Sequence, residues 1–387
     1  MKYSLSFNTY TISNTILLIV ITELFLLGGG RLVEIGPLSL RMVLFFIAQV
    51  YTIAILFKQK INSQAITLFL YFISSLLLSA SIGLLNGAEL DLVLGDIKPL
   101  SYFIMVLFFS VVIDNHQRVM LVVKAVKSCS VILMVIYFAI LTGLYFKLIP
   151  FSLFYERMTA TGEVFFRPVG FFYKGFLYLC VGFLFFLFSD KKSNKLIAAL
   201  LFLSIVLTFT RGFLLSTAAT LIAYTIFYAR RNVKTLIKIF LLAASLVLFT
   251  PWFVAQLGDK SESNLTRIVT YEQVTESLNP FSFFVGHGLG IGVAERSEHM
   301  EASFLEIFHK QGVVGLSFWF LIFLMIIWSY SRIRKKECRD IALPFVLSTV
   351  LIYIQTVTNP YLNNPIGMSM ILITLSVLRV LGDEKLA

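Results

Sequence analysis

Seven side chains in this sequence have the types and the placement to handle an anionic ligand: Arg167, Lys174, Arg211, Arg267, His287, His299 and Glu301. Charged groups at a membrane are costly and mark a pathway or a site. Cations gathered at one level suit a phosphate or diphosphate, arginine best, because its planar fork binds two oxygens at once. Taken singly, each is equally well explained as an interfacial anchor with its head in water. Glu301 adds a carboxylate able to orient a hydroxyl or take its proton. Around these residues Gly286, Gly288, Gly290 and Gly292 recur at every second position, a pattern that permits positive φ and close backbone approach. Gly286 and Gly288 are therefore counted with the ligand-binding set. Ser297 is placed to cap a helix with Glu298 and Glu301 in its first turn. The run GHGLGIG is neither a P-loop nor a dinucleotide fingerprint. Glu23, Arg41, Asp96 and Lys98 form a second charged group within apolar stretches; Asp96 and Lys98 are expected to pair with each other or with a neighbour.

The elements that position these groups are apolar. Of 387 residues, 58% are hydrophobic and 39 are Phe, which excludes a soluble globular domain and indicates an all-α polytopic membrane protein. Runs of about 20 apolar residues predict about twelve transmembrane helices, near 11–27, 37–57, 64–84, 97–113, 128–146, 170–189, 196–210, 212–229, 236–253, 313–330, 341–358 and 366–381. The first run lacks a small-residue cleavage pattern and reads as a span. The stretch 196–229 would make a helix about 50 Å long against a hydrocarbon core of about 30 Å, so it must cross twice. Basic residues flank both its ends (Lys191, Lys192, Lys195; Arg230, Arg231, Lys234), which makes both ends cytoplasmic and Arg211-Gly212 the outer turn.

The same bias puts most of the 32 basic residues on the cytoplasmic side, together with both termini. The net charge of +11 is thus topogenic and not a nucleic-acid surface. Two outer loops remain, 147–169 and the larger 254–312 between spans nine and ten. In the second, Leu265, Ile268, Tyr271, Val274 and Leu278 recur at helical spacing, with Asn264 as cap and Pro280 as stop. That predicts an amphipathic helix on the outer surface, with Arg267 on its apolar side. The chain reads as one membrane domain, 1–387, carrying a loop at 254–312 that holds part of the site. Cys129, Cys180 and Cys338 suggest neither a disulfide nor a metal knuckle. No cofactor is expected, and no metal, since arginines can neutralise a diphosphate and the outer loops hold no Asp-x-Asp pair.

In order and placement, these motifs resemble the O-antigen polymerase and ligase superfamily. The resemblance covers roughly 167–316: Arg-x-x-Gly at Arg167 and Gly170, Thr210-Arg211-Gly212 at a helix hairpin, and Arg267 upstream of Asn279-Pro280 and the Gly286-His287-Gly288 run. In the ligase branch the final motif resembles His-Asn-x-Tyr-Leu; here Glu301-Ala302 stands where His-Asn would, and His299 falls two residues early. A carboxylate there looks more like the polymerases of O-antigen, capsule or exopolysaccharide. The resemblance implies a bacterial inner-membrane glycosyltransferase working at the periplasmic face. Its donor and acceptor would be polyprenyl-diphosphate-linked glycans, its surroundings membrane lipid, and a chain-length regulator protein a further partner. Glu301 would be catalytic and Arg167, Arg211 and Arg267 would stabilise the departing diphosphate. A ligase acting on lipid A-core is the alternative enzyme. A transporter of lipid-linked glycans is the alternative of another class, against which stands the lack of two similar halves.

Overall fold

The computed structural model describes residues 9–35, 38–57, 62–167, 170–188, 192–227 and 261–383, with four single positions between 228 and 260. In hydrocarbon the backbone must satisfy its own hydrogen bonds, and the apolar runs accordingly form helices: α1 Thr9–Leu26, α2 Leu40–Leu56, α3 Ser63–Leu85, α4 Leu90–Leu100, α5 Met105–Val112 and α6 His116–Tyr145. After them come α7 Phe151–Ala160, α8 Leu177–Leu187, α9 Lys192–Leu207, α10 Arg211–Phe227, α11 Ser261–Glu276, α12 Pro280–Val285, α13 Ser303–Arg332, α14 Lys336–Thr356 and α15 Pro365–Gly382. The C-terminal α15 sits at the centre, packed on α1, α5, α6, α13 and α14, and nearly all its side chains are buried. Small residues let neighbours close up, as the membrane setting favours. A Cβ on Gly182 of α8 would lie 2.3 Å from the Cβ of Ser130 on α6.

Part of the expected set of spans is present as apolar helices. Five helices among the described residues are long and apolar enough to cross a membrane: Ser63–Leu85, Leu90–Val112, His116–Tyr145, Ser303–Arg332 and Pro365–Gly382. Tyr10–Leu26, Leu40–Leu56, Lys174–Leu187 and Arg211–Ile226 are apolar but shorter. The stretch 236–253 lies almost wholly outside the described residues. The long run 196–229 does break as argued, between Leu207 and Arg211, with Phe209 at φ 49°. Two short antiparallel hairpins interrupt the otherwise helical chain, β1 Glu34–Ile35 with β2 Leu38–Ser39, and β3 Val164–Arg167 with β4 Gly170–Tyr173. Three consecutive aromatic and β-favouring positions on either side of the Arg167–Gly170 turn explain the second. One face, Phe166 and Phe171, packs on Phe151, Phe154 and Tyr155 of α7, which turns the segment 151–173 into an aromatic pad.

The segment 261–312 departs further. Asn264 lies inside α11 and does not cap it, and Pro280 does not stop a helix but starts one, as the first residue of α12 behind an Asn279 capping box. No helix begins at Ser297. α13 starts at Ser303, so Glu298 and Glu301 belong to the approach segment and not to a first turn. α13 is itself broken at Gly312, whose φ of 61° and ψ of −159° interrupt the helical path.

Candidate functional site

The break at Gly312 builds the site's floor. Amides beyond a helix break no longer cap the carbonyls one turn back, and the glycine loop supplies donors in their place: His287 N–H donates to His309 O (2.8 Å) and Gly288 N–H to Lys310 O (3.1 Å). Leu289 N–H donates to Ser79 O of α3 (2.9 Å). The contact is backbone on backbone. A Cβ on Gly288 would stand 2.0 Å from Gly83 N, and one on Gly286 would stand 2.3 Å from Gln311 N; both residues have positive φ. Gly286 and Gly288, expected to bind a ligand, thus have their amides committed to Ser282 O and Lys310 O and serve to wedge the loop into the bundle. His287 is committed likewise. Its ring stacks on His309 at 4.4 Å, with its nitrogens 3.2 Å and 3.0 Å from the carbonyls of His309 and Ser277.

Two charged clusters flank the segment that follows. The first is half-exposed. Arg267, on α11, donates from Nε to Glu301 Oε2 (2.8 Å), with its Nη2 2.7 Å from the same oxygen. Arg296 Nη2 reaches Glu301 Oε1 at 3.1 Å. Arg211 opens α10 and donates to Asn264 Oδ1 (3.4 Å), one turn before Arg267 on α11. Arg211, Asn264 and Arg267 line one cavity of about 510 Å3, with Gly212, Gln355 and Asn359 on its other walls. Arg267 also lines a smaller adjoining cavity of about 110 Å3 with Arg296 and Glu301. Two guanidinium groups therefore hold one carboxylate, and a third, that of Arg211, stands at the positive end of α10 in the adjoining cavity, an arrangement that favours an anion. Glu301 accepts one hydrogen bond on each oxygen, from Arg267 Nε and Arg296 Nη2, and a carboxylate has room for about four, so Oε1 keeps an acceptor position for a hydroxyl.

The second cluster is buried. Lys310 Nζ donates to Asp96 Oδ1 (2.7 Å), Glu306 Oε1 (2.9 Å) and the carbonyl of Glu298 (2.7 Å). Gly290 N–H and Asn363 Nδ2 complete the two carboxylates at 2.7 Å and 2.6 Å. Asp96 thus pairs with a distant neighbour and not with Lys98. His299 Nδ1 lies 3.4 Å from Asp96 and 3.5 Å from Glu306; hydrogen bonding to those two carboxylates raises its pKa to about 9. Asp96, His299 and Glu306 hold their ligand atoms within 4.8 Å of one another, close enough for a metal ion. The Lys310 ammonium, however, already stands between the two carboxylates.

The structure thus brings Arg211, Arg267 and Glu301 together, puts His299 on the other side of Met300, which lines the cavities of both clusters, and uses His287, Gly286 and Gly288 as anchors. Lys174 lies 5.6 Å from the Phe165 ring on the aromatic hairpin. That hairpin touches α10 through Phe172 and Phe213, 5.7 Å between centroids, so the backbone of Arg167 is carried on the same unit; the Arg167 side chain lies outside the described residues. Arg296, Glu306 and Lys310 are new. Glu306 and Lys310 left a legible trace, a carboxylate and an ammonium at i and i+4 in an apolar helix; Arg296 left none. Glu23 and Arg41 form a separate buried pair at 2.9 Å.

No family model matches the chain. It is 28% identical over 359 residues to the O-antigen polymerase of Shigella flexneri, an alignment that covers 90% of this chain and 90% of that protein. The similarity that the motifs suggested for 167–316 therefore extends over nearly the whole length, and it supports the polymerase side of the superfamily.

Proposed function

We propose that this chain polymerises oligosaccharide repeat units carried on polyprenyl diphosphate, as an O-antigen polymerase at the outer face of the bacterial inner membrane. The observation that carries the reading is the convergence of Arg211 and Arg267, from two different outer segments, on one cavity of about 510 Å3. In the reaction a hydroxyl of the acceptor glycan attacks the anomeric carbon of the donor. A new glycosidic C–O bond forms, the bond from that carbon to the diphosphate oxygen breaks, and polyprenyl diphosphate departs. The leaving group is already good, so the protein's part is to hold its developing charge, a role for Arg211 and Arg267 with Arg167 from the hairpin. Glu301 receives the hydroxyl proton through its remaining acceptor position and keeps Arg267 and Arg296 in place.

The proposed membrane arrangement has about twelve spans, cytoplasmic termini and 254–312 on the periplasmic side, with a chain-length regulator protein as partner. Deletion of the gene in its own host is the test. A polymerase leaves single repeats attached to the final acceptor, and complementation restores a ladder. Loss of all repeats from lipid A-core would mean a ligase, and accumulation of repeats on the cytoplasmic side would mean a transporter.

A further inference from the structure

We propose that a basic cavity at the far end of α13 holds the phosphate headgroup of an anionic phospholipid. The straight part of α13, from Val313 to Arg332, is about 30 Å long, the thickness of the hydrocarbon core. Its last turn therefore lies at the membrane face opposite the arginine cavity. There the ends of α13 and α15 and the turn after α13 enclose about 660 Å3, lined by Trp328, Arg332, Arg334, Lys335, Arg379 and Asp383 among others.

Four cations face one carboxylate in that wall. Arg379 is fixed in place by donating to the carbonyls of Ser110 (2.7 Å) and Ile113 (3.0 Å). The Arg332 guanidinium lies 4.6 Å from the Trp328 ring. Arg334 and Lys335 are exposed and have no ion-pair partner among the described residues. A phosphodiester seated between them would gain charge-assisted hydrogen bonds from both.

A second feature identifies the occupant as a lipid. Phe320, Leu321, Leu324, Ile327 and Trp328 are exposed along α13 at the spacing of one helical face, and this stripe runs straight down to the cavity. Acyl chains can lie along the stripe with the headgroup in the basic hollow, while a soluble anion would leave the stripe unused. Basic hollows between membrane helices are suited to anionic headgroups. Charges that merely set topology would need neither the hollow nor the stripe.

The experiment uses the full-length protein in nanodiscs of equal phosphatidylglycerol and phosphatidylethanolamine, with the lipid retained after transfer to detergent identified by native mass spectrometry. Retained phosphatidylglycerol is expected to exceed phosphatidylethanolamine about fivefold, falling below about twofold in the Arg334→Gln/Lys335→Gln double variant. Lys336→Gln removes a charge from the same turn outside the cavity wall and is expected to keep the preference. Absence of any preference in the wild-type protein overturns the proposal whatever the variants do. So does an equal loss in Lys336→Gln, or complete release of the lipid by inorganic phosphate.

Discussion

The two charged clusters on either side of Met300 contain the same kinds of group and differ in exposure. Around Glu301 the arginines and the carboxylate are more than a third exposed, whereas Asp96, Glu306 and Lys310 keep 3 to 7%. An exposed ion pair contributes little to stability, while removing one partner of a buried one leaves an uncompensated charge. The buried cluster is thus a scaffold that ties α4, the glycine loop, α13 and Asn363 together. The exposed one is free to exchange its partners for a ligand. Alternate residues divide between them, His299 toward the scaffold and Glu301 toward the cavity.

Lys310→Met is expected to have the largest effect on the comparison, costing about 3 to 5 kcal/mol by stranding two buried carboxylates. Protein level and thermal stability should fall together. Adding Asp96→Asn and Glu306→Gln should restore much of both; a single Lys310→Met variant as stable as wild type would show that the cluster is not a scaffold. In the exposed cluster, Glu301→Gln should leave the protein inserted yet lower polymer formation at least roughly a hundredfold, the scale of general-base loss. Glu298→Gln is the matched control, since Glu298 contributes its backbone carbonyl to Lys310. Equal activity of the two variants would falsify a catalytic Glu301.

Arg211→Lys and Arg267→Lys keep charge and lose the planar fork, for which we expect roughly a tenfold loss each, or about 1.4 kcal/mol of transition-state stabilisation. Full-length ladders from both, at normal protein level, would reduce them to interfacial anchors. The smallest effect is expected from pH. Because the folded-state pKa of His299 is raised from 6.5 to about 9, its stabilising contribution is complete below about pH 6.5 and is lost as pH rises through about 9. The melting-temperature gap between wild type and His299→Gln should therefore close across that window. A gap independent of pH would mean that the imidazolium contributes nothing.

Much of this was legible from residue type and spacing alone. The break within 196–229 followed from length against membrane thickness, and Arg211 and Arg267 were placed in one ligand-binding set and line one cavity. The roles of Gly286 and Gly288 did not, because alternating glycines signal close approach without saying to what. Here the nearest neighbours are the backbones of α3 and α13. Glu301 was assigned to a first turn on a Ser-Glu pattern, but the approach segment is held by Arg267 and Arg296, contacts between positions 34 and 5 residues apart that local propensity does not register. Asp96 was expected to find a neighbour, yet its ammonium lies on a helix whose position only the break at Gly312 determines.

The bond between Asp96 and Lys310 joins positions 214 apart in sequence. At synthesis rates of about 5 to 20 residues per second, the interval between their translation is on the order of 10 to 40 s. During that time α4 has emerged and its carboxylate lacks the Lys310 ammonium that holds it in the folded protein. Only when the ribosome has delivered the start of α13 can the bond that ties α4 to it form.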